Sequence, residues 1–154
     1  MSYIFPIAMS APGDATSSLA VAGFVLALVI VLFAGIVYSA RNVRFDMTRE
    51  GLRIRGDIYG RLVPNASLVP SEAKKVDLGS GSPYKLRIRT NGIGTPWYKS
   101  GWFRLSNGEK ALVFLTNTSR AVYVPTVDGY CLLLTPADPD AFIAKLRTHP
   151  AALQ

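Results

Sequence analysis

Two residue types that carry much of enzyme chemistry are nearly missing from this 154-residue chain, which has one cysteine, Cys131, and one histidine, His149. A single cysteine forms no internal disulfide, which is compatible with a reducing compartment. One Cys and one His fall short of the three or four ligands that a zinc site needs. A hydrolytic triad needs a histidine within reach of its nucleophile, and His149 follows the last element legible in the chain. Acidic residues are also few, 10 against 17 Lys and Arg, and Asp138 and Asp140 are accounted for below as helix-start residues. Gly92-Ile-Gly94 lacks the Gly-Lys-Ser/Thr that completes a phosphate loop. No catalytic residue, metal or cofactor is expected. Cys131, inside the apolar run Tyr130 to Leu134, reads as a buried, inert thiol. No DNA-binding motif is present, so nucleic acid is not an expected partner.

The first forty residues lack Lys and Arg altogether. Within them, Leu19 to Val37 is an uninterrupted apolar run that spans roughly 28 Å as a helix, close to the thickness of a bilayer core. A cleaved secretory signal is the rival reading, but it calls for a basic n-region and a shorter apolar core. A lipoprotein anchor calls for a cysteine near the N-terminus. The expected layout is a short extracytoplasmic tail (1–18), a transmembrane helix (19–40), one soluble domain (41–148) and a tail (149–154). All 17 basic residues follow the run, and Arg41, Arg44, Arg49, Arg53 and Arg55 crowd its end, which places the domain in the cytoplasm and the N-terminus outside. Ala20, Ala27 and Ala34 recur every seven residues, with Gly23 four before Ala27, a small-residue stripe on which another helix can pack.

Beyond Arg41 the pattern is that of strands. Leu52 and Ile54 alternate with Arg53 and Arg55, and Leu86 and Ile88 with Lys85, Arg87 and Arg89, which points the apolar residues to a core and the cations to solvent. Pro64 to Lys75 reads as a loop with at most a short strand near Leu68, and Thr90 to Ser100 as a glycine-rich loop. Strands are expected at 102–105, 110–116, 121–124 and 130–134, with turns at Asn107-Gly108 and Asp128-Gly129, together an antiparallel meander. Asp138, Pro139 and Asp140 are N-cap, first helical residue and macrodipole partner of a closing helix that ends near Arg147. Asn65-Ala-Ser67 and Asn117-Thr-Ser119 match the glycosylation pattern by chance if the domain is cytoplasmic.

The segment Arg89 to Leu105, with its glycine-rich loop and Gly101-Trp102-Phe103, then Asn107 to Lys110, Val122 to Pro125, Asp128 to Tyr130 and Pro136 to Phe142, resembles the bacterial PH-like domain of small membrane-anchored proteins. The resemblance covers most of residues 42 to 148. It implies the pleckstrin-homology superfold, a seven-stranded barrel with a C-terminal helix, and no known catalytic activity; it brings no ligand residues. The fold class is therefore one transmembrane helix followed by a mainly-β PH-like barrel or sandwich with a capping helix. The function expected is non-catalytic binding of a protein partner, of anionic lipid head groups, or of both. The alternative is an accessory subunit of an integral-membrane complex packed through the helix.

Trp97, Tyr98 and Trp102 are the candidate partner contacts, since aromatics anchor interfaces. Arg44, Arg53, Arg55, Lys85, Arg87 and Arg89 are the candidate lipid contacts; each cation near an anionic leaflet contributes about 1 kcal/mol. Arg53, Arg55, Lys85, Arg87 and Arg89 share one face if their two strands are neighbours.

Overall fold

The computed structural model describes residues 15–148. The N-terminal tail up to residue 14, His149 and the last five residues lie outside them. The chain divides into two compact units between Val37 and Tyr38.

In the first unit, helix α1 (Ala15–Asn42) begins and then continues past the division. Its stretch Ser17–Asn42 holds an 18-residue window of mean hydropathy 3.0 and is long and apolar enough to cross a membrane. The side chains from 17 to 35 are exposed, Ala20, Gly23, Ala27 and Ala34 with them.

Among the described residues, the second unit carries nine strands and a closing helix: β1 (Arg44–Thr48), β2 (Gly51–Arg55), β3 (Leu62–Pro64), β4 (Lys74–Val76), β5 (Leu86–Gly94), β6 (Lys99–Leu105), β7 (Lys110–Leu115), β8 (Ala121–Pro125), β9 (Cys131–Leu134) and α2 (Pro139–Thr148). They form a three-stranded sheet in the order β1-β2-β3 and a six-stranded sheet in the order β4-β8-β9-β7-β6-β5. The sheets pack as a sandwich, where the resemblance implied a closed seven-stranded barrel.

Hydrophobic alternation dictates this arrangement. Leu112 and Phe114 of β7 and Leu132 and Leu134 of β9 face a core shared with Leu52, Ile54 and Val63 of the small sheet and Phe142, Ile143 and Leu146 of α2. Ala111, Val113, Leu115, Cys131 and Leu133 point the other way, into a second core closed by Leu78 and Tyr84. α2 starts as its residues require, with Asp138 Oδ1 accepting from Ala141 N at 3.0 Å and Pro139 opening the helix.

Of the expected meander, β5 through β7 and the β8–β9 hairpin are antiparallel neighbours, but β7 and β8 are not adjacent. β8 lies beyond β9, and β9 inserts between β8 and β7, parallel to β7 with Ala111 opposite Cys131 and Phe114 opposite Leu134. The reason is burial. β9 (Cys-Leu-Leu-Leu) is apolar on both faces, and such a strand belongs inside a sheet rather than at its edge.

The loop expected from Thr90 to Ser100 is largely strand. β5 runs on to Gly94, and Gly92 lies opposite Gly101 of β6. Gly101 has φ 103°, and a Cβ there would come within 2.5 Å of the Asn91 carbonyl oxygen, so the two strands approach more closely than a side chain allows. The segment after Pro64 has more order than a loop: two short 3-10 turns, a bridge from Leu68 to Thr126, and then β4. Gly101→Ala is expected to destabilise the domain by about 3 kcal/mol through strain and clash, read as a lowered denaturation midpoint of the full chain in non-ionic detergent. An unchanged midpoint would show that the strands can part there.

Candidate anion-binding edge

β5 closes one side of the six-stranded sheet and meets only β6. Its register slips twice, between Leu86 and Ile88 and between Arg89 and Asn91. Bulges of this kind re-aim side chains. Residues directly opposite each other share a face, so Leu86 and Arg89 lie with Leu105 and Phe103 on the second-core face. Ile88 and Asn91 lie with Arg104 and Trp102 on the other. Leu86 and Ile88 thus point apart, and Ile88 is 52% exposed, where alternation alone put both in the core.

Two clefts follow from that division. The one on the Trp102 face, about 380 Å³, is lined by Thr90, Asn91, Trp102, Phe103, Arg104 and Lys110. Arg104 and Lys110 are directly opposite across β6 and β7. Lys110 Nζ lies 4.3 Å from the Trp102 ring centroid and the Arg61 guanidinium 5.1 Å, while Tyr130 meets the ring edge-on at 5.2 Å. Each cation–π contact at an exposed site contributes about 0.5–1 kcal/mol. The Tyr130 hydroxyl is shifted up by burial and by Asp128, with Arg61 opposing. The second cleft, also about 380 Å³, is lined by Leu86, Arg87, Arg89, Gly94, Lys99 and Phe103.

Neither cleft contains a carboxylate. Among the described residues the ion pairs are Arg53–Glu50, Arg55–Asp46 and Lys75–Asp140, so Arg61, Arg87, Arg89, Lys99, Arg104 and Lys110 are left without an acidic partner.

The condition for Arg53, Arg55, Lys85, Arg87 and Arg89 to share one face, that their two strands be neighbours, is not met. Arg53 and Arg55 are on β2, whose neighbours are β1 and β3, whereas Arg87 and Arg89 are on β5, in the other sheet. Arg53 and Arg55 also spend their charge on Glu50 at 3.5 Å and Asp46 at 3.3 Å. Arg44 is opposite Arg55, and Lys85 just precedes β5. Of the three aromatics, Trp97 is 40% exposed beside a smaller cleft with Pro96, Lys99 and Thr116 to Thr118, and Trp102 is half-buried in the cationic cleft. Tyr98 is 1% exposed and donates its hydroxyl to Asp57, so it is a packing residue and not a contact surface. Sequence reasoning missed Lys99, Arg104 and Lys110. For Arg104 and Lys110 the signal was present, because the Asn107-Gly108 turn pairs them.

Residues 43–149 match the family of bacterial PH domains. The chain belongs to that family. No curated protein and no solved structure matches it. Within this PH domain no three of His, Cys, Asp and Glu converge among the described residues, and the Cys131 thiol is pushed up by burial and by Glu109.

Tyr98 supplies a pH test. Burial, then its bond to Asp57, raises its hydroxyl above the usual tyrosine range, and burial with Glu109 raises that of Tyr123. A raised native pKa means that the folded state holds protons that the unfolded state has lost. Stability is then complete below about pH 10 and falls as pH rises beyond it. Denaturation of the full chain in detergent, followed by tryptophan fluorescence, is expected to show this alkaline decline, with a shallower slope in Tyr98→Phe. Equal slopes would remove Tyr98 from the account.

Proposed function

We propose that this chain is a membrane-anchored, non-catalytic binding module. Helix α1 holds it in a bacterial inner membrane with the N-terminus outside, and the PH domain faces the cytoplasm. The absence of Lys and Arg before residue 41, with five arginines between 41 and 55, supports that orientation. The observation that carries the binding reading is the set of six cations at the β5–β7 end with no acidic partner among the described residues. Cations that the fold leaves unneutralised attract an anionic partner and steer its approach. The ligand in this reading is an acidic protein surface, an anionic head group, or both. Trp97 and Trp102 supply aromatic contact area beside the charge, with Lys99 lining the Trp97 cleft and Lys110 the Trp102 cleft.

A second reading, an accessory subunit of an integral-membrane complex, draws support from Gly23, where an added Cβ would meet nothing within 4 Å, and from the exposed Ala20, Ala27 and Ala34.

The deciding experiment extracts the C-terminally tagged full chain in mild detergent and identifies what accompanies it in stoichiometric amount. The module reading expects a soluble partner, or anionic vesicles, whose retention falls about tenfold in the Arg104→Glu/Lys110→Glu double variant and weakens as salt is raised. A single integral-membrane partner lost in Ala27→Leu and kept in the double variant would make the chain a complex subunit instead.

A further inference from the structure

We propose that the cleft between β5 and β6 on the second-core face is a phosphate-binding subsite formed by Arg87, Arg89 and Lys99. This rests on the binding-module reading and names the chemistry of one of its ligands.

The two bulges of β5 make the subsite. In a regular strand with Leu86 facing the second core, residue 89 would face the opposite side. The slip before Ile88 turns Arg89 over, so that it stands opposite Phe103 on the same face as Leu86. Arg87, the residue passed over by that slip, lines the same cleft. Lys99 reaches it from β6, opposite Gly94. Arg87, Arg89 and Lys99 therefore line one depression from two strands.

The lining explains why an anion is the missing component. Leu86 and Phe103 provide apolar walls, and Gly94 provides a floor with no side chain. A Cβ at Gly94 would lie 3.2 Å from Arg89 Nη1, so the guanidinium rests over the glycine backbone. Lys99 Nζ is held by the Thr95 carbonyl oxygen at 3.2 Å, which leaves two of its three donors. Neither Arg87 nor Arg89 makes an ion pair among the described residues.

Three like charges gathered without a counter-ion repel one another, and a bound anion relieves that repulsion. Arginine forks match the oxygens of a phosphate bidentately, and the terminal oxygens of a phosphate group engage more donors than the two of a carboxylate. Such a group arrives either on a lipid head group or as a soluble phosphate compound.

The test uses nitrogen-15-labelled full chain in non-ionic detergent, with the amides of Gly94, Lys99 and Phe103 as reporters. The two probes are inorganic phosphate and dihexanoyl phosphatidic acid, each at constant ionic strength. Saturable shifts at these amides are expected, weakened about tenfold or more in Arg89→Gln and in Lys99→Gln and unaltered in Lys145→Gln on α2. If the lipid binds more than about tenfold tighter than inorganic phosphate, the head group is the source; comparable affinities assign a soluble phosphate. No saturable shift with either probe, or shifts that persist in Arg89→Gln, would overturn the subsite. The module reading survives that result if the Arg104→Glu/Lys110→Glu variant still loses its partner, and falls separately if it does not.

Discussion

Burial of β7 and β9 on both faces is the constraint from which the rest of the domain follows. Leu112, Phe114, Leu132 and Leu134 need cover on one side, and Val113, Leu115, Cys131 and Leu133 need it on the other. The small sheet and α2 supply the first cover; the segment with Leu78 and Tyr84 supplies the second. Each strand also needs a hydrogen-bonding neighbour on either side, because an unpaired backbone group in a dry interior costs about 1–3 kcal/mol. Placing β9 between β7 and β8 satisfies both demands. The strands that tolerate water, β4 with its two lysines and β5 with its two arginines, are left at the edges.

An edge strand invites pairing with other chains, and β5 resists it by two means. Lys85, Arg87 and Arg89 put like charges where a second copy would have to align, and two bulges interrupt the ladder. The first bulge also turns Arg89 to the Phe103 face beside Arg87, whereas the cations beside Trp102 come from β6, β7 and the segment before β3. Protection of the edge and the placing of Arg89 in the Phe103 cleft are thus consequences of the same bulges.

How far this was legible in the amino-acid sequence depended on whether the signal was local. The Asn107-Gly108 and Asp128-Gly129 turns and the Asp138-Pro139 helix start are set by short-range chemistry, and the structure has glycines at φ 86° and 79° and a capping carboxylate where they were expected. The alternation in β2 was equally plain. In β1, Phe45 and Met47 alternate with Asp46, but the proximity of a long apolar run and of two arginines hid a strand of five residues. The parallel placement of β9 was not legible, because its partner precedes it by about twenty residues and depends on total burial rather than on any turn. The candidate site suffered from the same limit. Alternation assumed an unbroken period of two, and a bulge changes the face of every residue after it. Ile88 was assigned to the core and is exposed, while Arg89 was assigned to solvent and is exposed, though on the same face as Leu86.

Tyr98 shows how a residue read as a contact becomes a structural tie. Its hydroxyl donates to Asp57, in the turn that joins β2 to β3, and the other oxygen of Asp57 accepts from Tyr59 N at 2.8 Å. Tyr59 in turn donates its own hydroxyl to Asn91 Oδ1 of β5 at 3.0 Å. Asp57 and Tyr59 therefore fasten the small sheet to both β5 and β6, the two strands that hold the cationic clefts. A hydrogen bond to a charged group contributes about 1.5–3 kcal/mol, more than an exposed cation–π contact does. The strands beneath the clefts are thus tied at Tyr98 and Asn91 without an ion pair from the cations above, whose own contacts are the Trp102 ring for Arg61 and Lys110 and backbone carbonyls for Lys99 and Arg104.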